Sequence, residues 1–199
     1  MKITSIKQQV KRADRYSVFV DGKYSFSLSE GALLESKLAS GQELDKEQVK
    51  EFKKLSADDK LYTRALRYVA MRPRTKWEIE QYLNRKEASP ALIDQILNKL
   101  SIIGLIDDAK LAQAFVNDRR LLRPTSRRKL VLELRKKHVA DDIIQRVTAG
   151  EADEEQAALV AVIERKRRQA KYQDDLKLMQ YLARQGFSYD DIKVALQDH

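Results

Sequence analysis

The residues whose types invite a catalytic reading are few: the adjacent pair Asp107-Asp108 and two histidines, His138 and His199. A carboxylate pair holds a divalent cation or acts as a general base only with further ligands or a partner base nearby. No nearby histidine or third carboxylate completes such a set, and aspartates immediately before a helical stretch are expected to be caps. The histidines stand far apart in the chain, and Cys is absent. That excludes disulfides, a thiol nucleophile and Cys-based metal sites, and leaves neither a His-rich metal site nor a His-based triad. There is no phosphate-cradling P-loop, no G-x-G-x-x-G and no paired-carboxylate constellation. Catalysis, a metal and a cofactor are therefore not expected.

Cations offer a different chemistry. The chain of 199 residues has 39 Lys+Arg against 30 Asp+Glu, a formal charge of +9. The excess is local: residues 108–150 carry 11 basic and 5 acidic groups, whereas residues 151–199 carry 8 and 10. Arg119, Arg120, Arg123, Arg127, Arg128, Lys129, Arg135, Lys136 and Lys137 are interrupted by a single acid, Glu133. A solvated helix face normally interleaves its signs, so this run reads as a surface for phosphates or for an acidic protein, with solubilisation as the plainer alternative. It contains no aromatic residue, which disfavours a platform for stacking single-stranded bases. A second run, Arg165 to Arg168 with Lys171, closes a helical stretch that opens with Asp153, Glu154 and Glu155, an arrangement the helix dipole explains.

These residues must be positioned by two kinds of element. Tyr16–Val20 and Lys23–Leu28 flank Asp21-Gly22, the signature of a tight hairpin whose central residues both need positive φ. Tyr24, Phe26 and Leu28 are expected on one face, with Ser25 and Ser27 on the other. Ile3 and Ile6 mark a third strand, and residues 29–38 a short helix. This extension, residues 1–58, is expected to fold separately.

From Asp59 the hydrophobic period changes from two to 3.6, predicting helices throughout the remainder. Thr75 to Glu78 has capping-box spacing, Ser89-Pro90 a cap before an N1 proline, and Gly104 a stop; Leu92, Ile93, Ile96, Leu97 and Leu100 form an apolar stripe. Trp77 and the other aromatics at helical spacing are expected in the core. A repeat emerges without gaps: Ile79, Leu130 and Leu178 coincide, as do Leu83, Leu134 and Leu182, and Ile93, Ile144 and Ile192. Each copy places a basic residue two after its middle leucine: Arg85, Lys136 and Arg184. With the preceding helices, at 59–72, 108–121 and 153–169, these make three tandem three-helix units, residues 59–107, 108–150 and 151–199. The fold class is mainly α, an elongated, curved array of repeats with a small β-hairpin/α extension. No apolar run approaches the ~20 residues that span a bilayer and the N-terminus lacks a signal-peptide core, so a soluble, cytoplasmic protein with no membrane partner is expected.

Several of these residues form a recognisable pattern. Tyr62, Ala65-Leu66, Tyr68, Arg72-Pro73-Arg74-Thr75, Glu78-Ile79, Gly104-Leu105-Ile106-Asp107-Asp108, Ala112 and Phe115 resemble the RecX family, bacterial regulators of the RecA recombinase. Arg127-Arg128, Leu130, Glu133-Leu134, Lys137 and Gly186-Phe187-Ser188 continue the pattern, so that it covers residues 59–196. Two turns depart from it, with Glu87 and His138 where the family usually places glycine. The resemblance implies a non-enzymatic protein that binds RecA in the groove of its nucleoprotein filament and inhibits filament extension, ATP hydrolysis and strand exchange. It would thereby modulate recombinational DNA repair and the SOS response. The candidate RecA- and DNA-contacting residues are Arg72, Arg74, Arg119, Arg120, Arg123, Arg127, Arg128, Lys129, Lys136 and Lys137, the DNA single- or double-stranded and bound without sequence preference. The alternative is a stand-alone helix-turn-helix-like DNA-binding protein. Against it, no helix carries Asn, Gln and Arg at base-reading spacing.

Overall fold

Alternating polar and apolar residues at the start of the chain build an antiparallel sheet of order β1-β2-β3, from β1 (Ile3–Gln9), β2 (Arg12–Val20) and β3 (Lys23–Ser29). The computed structural model describes residues 1–150 and 152–197; His199 lies outside them. The Asp21-Gly22 turn has φ of 49° and 79°, as a type I′ hairpin requires. Val18, Val20, Phe26 and Leu28 are buried with Ile3. Tyr24 is not with them. Val18 pairs with Phe26 but Phe19 pairs with Tyr24, so a bulge at this point turns Tyr24 to the outer face, where its ring meets Phe19 edge-on at 6.1 Å. Ser27, between Phe26 and Leu28, is buried as well, against Arg15 and Ser56.

After the short helix α1 (Glu30–Ser36), capped by Ser29, comes α2 (Lys46–Ala70), which starts thirteen residues before the expected position. Asp45 and Gln48 form a reciprocal capping box at its start, and the expected division at residue 58 falls inside the helix. The sheet packs directly on this helix. Val49 and Phe52 of α2 complete its apolar core, and the Ser56 hydroxyl donates to the Ser27 carbonyl at 2.6 Å. Asp59 accepts from the Ser29 amide at 2.8 Å and its hydroxyl at 2.5 Å. The Asp59 carboxylate also faces the Arg15 guanidinium at 3.0 Å, with 1% and 5% of the two side chains exposed.

The remaining helices are α3 (Lys76–Asn84), α4 (Pro90–Ile102), α5 (Asp108–Leu122), α6 (Arg127–Lys136), α7 (Asp141–Thr148), α8 (Ala152–Arg167), α9 (Asp175–Gln185) and α10 (Tyr189–Gln197). A 3₁₀ turn, Ala170–Tyr172, joins α8 to α9. The chain divides into two compact units, Met1–Arg72 with Ile79–Leu105, and Pro73–Glu78 with Ile106–His199. All nine aliphatic residues of the repeat are buried, at 4% exposure or less. Each such side chain contributes about 1.5–3 kcal/mol relative to an exposed one.

The turn inside each repeat is also the same. Amides of Glu87, His138 and Gly186 donate to Asn84, Arg135 and Ala183, and the next amides, of Ala88, Val139 and Phe187, reach back to the carbonyls of Leu83, Leu134 and Leu182. This is the Schellman ending, which needs one left-handed residue. Glu87 and His138 adopt it at φ 58° and 55° without being glycine, so the two departures from the family pattern leave the backbone unchanged. Gly186, at φ 96°, has a second constraint: a Cβ there would lie 2.8 Å from the Ser126 hydroxyl and 3.3 Å from the Arg128 Cβ.

Candidate interaction surface

The basic run identified in the sequence is distributed over the end of α5, the linker at Pro124 and the whole of α6. Ser126 caps α6 through the Lys129 amide, and Leu130 and Leu134 turn inward. That geometry sorts the cations. Arg119 donates Nε to Glu133 at 2.9 Å and lies over the Phe115 ring at 4.8 Å, with Lys137 over the same ring at 5.6 Å. Arg120 pairs with Glu154 at 2.7 Å, and Arg135 with Asp141 at 2.9 Å. The Lys129 ammonium donates to the Gln185 side-chain oxygen. These five tie α5, α6, α7, α8 and α9 to one another.

Arg123, Arg127, Arg128 and Lys136 remain exposed, as does Arg184 on α9. Arg74, half-buried just before α3, stands 3.9 Å from Glu78, and Arg72 is exposed after α2. The second basic run is used internally in part: Arg167 reaches Asp175 at 2.6 Å and the carbonyls of Tyr172 and Gln173, and Lys166 covers the rings of Tyr172 and Tyr181, while Arg165 and Arg168 are exposed.

The carboxylates singled out in the sequence act as caps, one of them on a different helix from the expected one. Asp107 accepts from the Lys110 amide at the start of α5, and this backbone hydrogen bond holds its carboxyl below the usual range. Asp108, the first residue of α5, instead accepts from the Lys76 amide at 2.8 Å and so caps α3. One repeat later Glu155 does the equivalent for α6, accepting from the Arg127 amide at 2.8 Å. Burial raises both Asp108 and Glu155, opposed by the amide each receives. Among the described residues no group of three or more His, Cys, Asp or Glu is placed to hold a metal ion. Among the described residues no helix is long and apolar enough to cross a membrane.

Two features were not anticipated. Trp77 is not in the core: with Ile79 and Leu83 facing inward, it stands 37% exposed and stacks on the His138 imidazole at 3.7 Å. The second is a groove of about 340 Å³ between α6 and the end of α9, whose walls include Arg128, Leu132, Lys136 and Arg184. Its signal in the sequence was the repeat itself, since Lys136 and Arg184 are equivalent positions. The Ser126 hydroxyl donates to the carbonyl of Gln185, a lining residue, at 2.6 Å and so ties the end of α9 to the start of α6.

Similarity to known proteins follows this architecture closely. Residues 1–45 match the regulatory protein RecX N-terminal domain, and residues 62–100, 107–147 and 153–196 match the first, second and third RecX three-helix domains. A Regulatory protein RecX from Lactobacillus delbrueckii subsp. bulgaricus is 33% identical over 201 residues, covering 98% of this chain and 74% of that one. The Bacillus subtilis protein of the same name is 31% identical over 199 residues, covering 98% and 75%. A crystal structure of regulatory protein RecX aligns at a TM-score of 0.79 with 27% identity, over 100% of this chain and 99% of that one. That of RecX from Lactobacillus salivarius aligns at 0.62 with 26% identity, over 71% and 95%. Four domain matches in the order of the observed elements, with relatives above 30% identity across nearly the whole chain, mean that the chain belongs to the RecX family of regulatory proteins.

Proposed function

We propose that this chain acts in the cytoplasm as a regulator of the RecA recombinase, binding RecA and its nucleoprotein filament. Its effect is to inhibit filament extension, ATP hydrolysis and strand exchange, and so to modulate recombinational repair and the SOS response. The observation that carries the reading is the sorting of cations within a RecX-family fold: Arg123, Arg127, Arg128, Lys136 and Arg184 face solvent while their neighbours are locked into the structure. Cations whose partners lie outside the chain steer association with an anionic target, while apolar and hydrogen-bonded contacts set the residence time. The protein needs no reacting group of its own for this role, because it changes the state of another enzyme's filament.

The test is a titration into RecA on single-stranded DNA with ATP. A protein that stops extension affects more subunits than it touches, so inhibition of DNA-dependent ATP hydrolysis is expected at substoichiometric amounts. Inhibition only at or above equivalence with RecA would mean competition for DNA and favour a stand-alone DNA-binding protein. Binding should be stronger to RecA-coated than to bare single-stranded DNA.

A further inference from the structure

The groove between α6 and α9 has a composition that discriminates between its possible occupants. Arg128, Leu132 and Lys136 are spaced i, i+4 and i+8 along one face of α6, and Arg184 faces them from α9. Leu132 is 51% exposed between the two cations. Neither Arg128, Lys136 nor Arg184 has an ion pair among the described residues, whereas Glu133, also in the wall, is held by Arg119. A phosphate backbone would use the cations but has nothing to cover the leucine, and the groove offers no ring for a base to stack on.

The geometry points to an acidic, extended peptide segment of a partner protein as the occupant, with the pattern acid–x–apolar–x–acid. Successive i, i+4 positions on a helix are separated by about 6 Å along its axis. Alternate residues of an extended strand, which point to the same side, are separated by about 6.5–7 Å. Two acidic side chains flanking an apolar one would therefore meet Arg128, Leu132 and Lys136 in register, with Arg184 available to the acid nearer α9. The site is fixed before binding: Ser126 and Lys129 both hold Gln185, and the absence of a side chain at Gly186 lets the end of α9 approach α6. A peptide thus orders itself without reordering the groove. The inference deepens the functional reading above, which takes the outward cations as a binding surface, by assigning this part of it to protein rather than DNA.

The test uses the full ¹⁵N-labelled chain and a blocked peptide, Gly-Asp-Ser-Leu-Ser-Asp-Gly, with one control replacing Leu by Ser, a second replacing both Asp by Asn, and a short oligothymidylate. Saturable shifts are expected at the amides of Leu132, Lys136 and Gly186 with the first peptide, with affinity about tenfold lower for either control, the scale of burying one leucine side chain or losing the charge pairs. Leu132→Gln, at an exposed helical position, should abolish the preference for Leu over Ser in the peptide while leaving oligothymidylate binding unchanged. Equal binding of the Leu and Ser peptides, displacement of the peptide from these amides by oligothymidylate, or no saturable shift with any peptide would each overturn the inference. The titration contains no RecA, so the two readings fail separately. Peptide binding without RecA inhibition counts against the functional reading alone, and RecA inhibition without peptide binding against this one alone.

Discussion

In the N-terminal unit the Arg15 guanidinium is sealed beside Asp59 and donates to the Ser27 carbonyl at 2.8 Å, while in the second unit Arg123, Arg127, Arg128, Lys136 and Arg184 extend into solvent. The two arrangements respond oppositely to substitution. A buried charge gains little for the fold as a pair but costs much when half of the pair is removed, because the other half is stranded in a low-dielectric site. An outward cation contributes almost nothing to folding and is available to a partner. The contrast separates cations that belong to the architecture from those available to function, a distinction net charge cannot make.

The largest effect should come from the sealed pair. Asp59→Ala leaves Arg15 uncompensated and removes the acceptor for the Ser29 amide and hydroxyl, and should cost about 3–5 kcal/mol in urea unfolding. The double variant Arg15→Met with Asp59→Leu should recover much of that loss. A single variant within about 1 kcal/mol of wild type would remove the contrast between the units, since Arg15 would then behave like a surface cation.

Next is the joint between α6 and α9. Gly186→Ala must hold φ 96° and push its methyl toward the Ser126 hydroxyl, at an expected cost of about 1–3 kcal/mol. Glu87→Gly, at the equivalent but open turn of the first repeat, should raise stability by a few tenths to about 1 kcal/mol by relieving a left-handed side chain. The turn preference alone gives these two changes opposite signs and similar sizes, so a loss at Gly186 clearly larger than the gain at Glu87 in thermal unfolding would show that Gly186 is required by close approach between helices. Equal magnitudes would reduce this joint to an ordinary helix ending.

Smaller still is the effect of the outward cations on folding. Arg128→Glu places a negative charge in the first turn of α6, where the helix dipole favours it, and should leave stability unchanged or raise it by a few tenths of a kcal/mol. Association with RecA filaments should weaken in the same variant, and more so when combined with Lys136→Glu. Its salt dependence should become shallower than the wild type's. Arg119→Glu is the contrasting control: it breaks the pair with Glu133 and should lower the melting temperature.

What the sequence revealed of this fold was whatever repeats locally. The three aliphatic triples were legible because a period of 3.6 and an ungapped overlay both select them, and all nine are buried. The start of α2 is legible too, in the Asp45 to Gln48 capping spacing, although the conspicuous change of period comes only later, at Asp59. Tyr24 was misplaced because one bulged residue inverts the alternation on which strand faces are read. Arg15 and Asp59 gave no local sign of burial, since their pairing depends on the sheet crossing α2. The charge concentration could be counted, but its division could not: whether Arg120 or Arg123 is available depends on Glu154, from the following repeat.

The finest separation lies between neighbouring carboxylates of the second unit. Asp107 is held below the usual range by the amide of Lys110, and Asp174 by that of Lys177. A carboxylate with a lowered folded value contributes stability that is present above its unfolded value and lost as pH falls through the folded one. Asp108 and Glu155 are raised by burial, so folding opposes their ionisation, and their effect reverses: stability is gained as pH falls through their folded values. Their window therefore lies above that of the caps. Asp107→Asn, which keeps an N-cap acceptor, should flatten the acid loss of stability. Asp108→Asn should remove the gain that precedes it, while its side-chain oxygen can still accept from the Lys76 amide. Denaturant midpoints measured from neutral pH down through the carboxylate range check both slopes. Slopes of the same sign at residues 107 and 108 would show that Asp108 is a solvated cap like its neighbour.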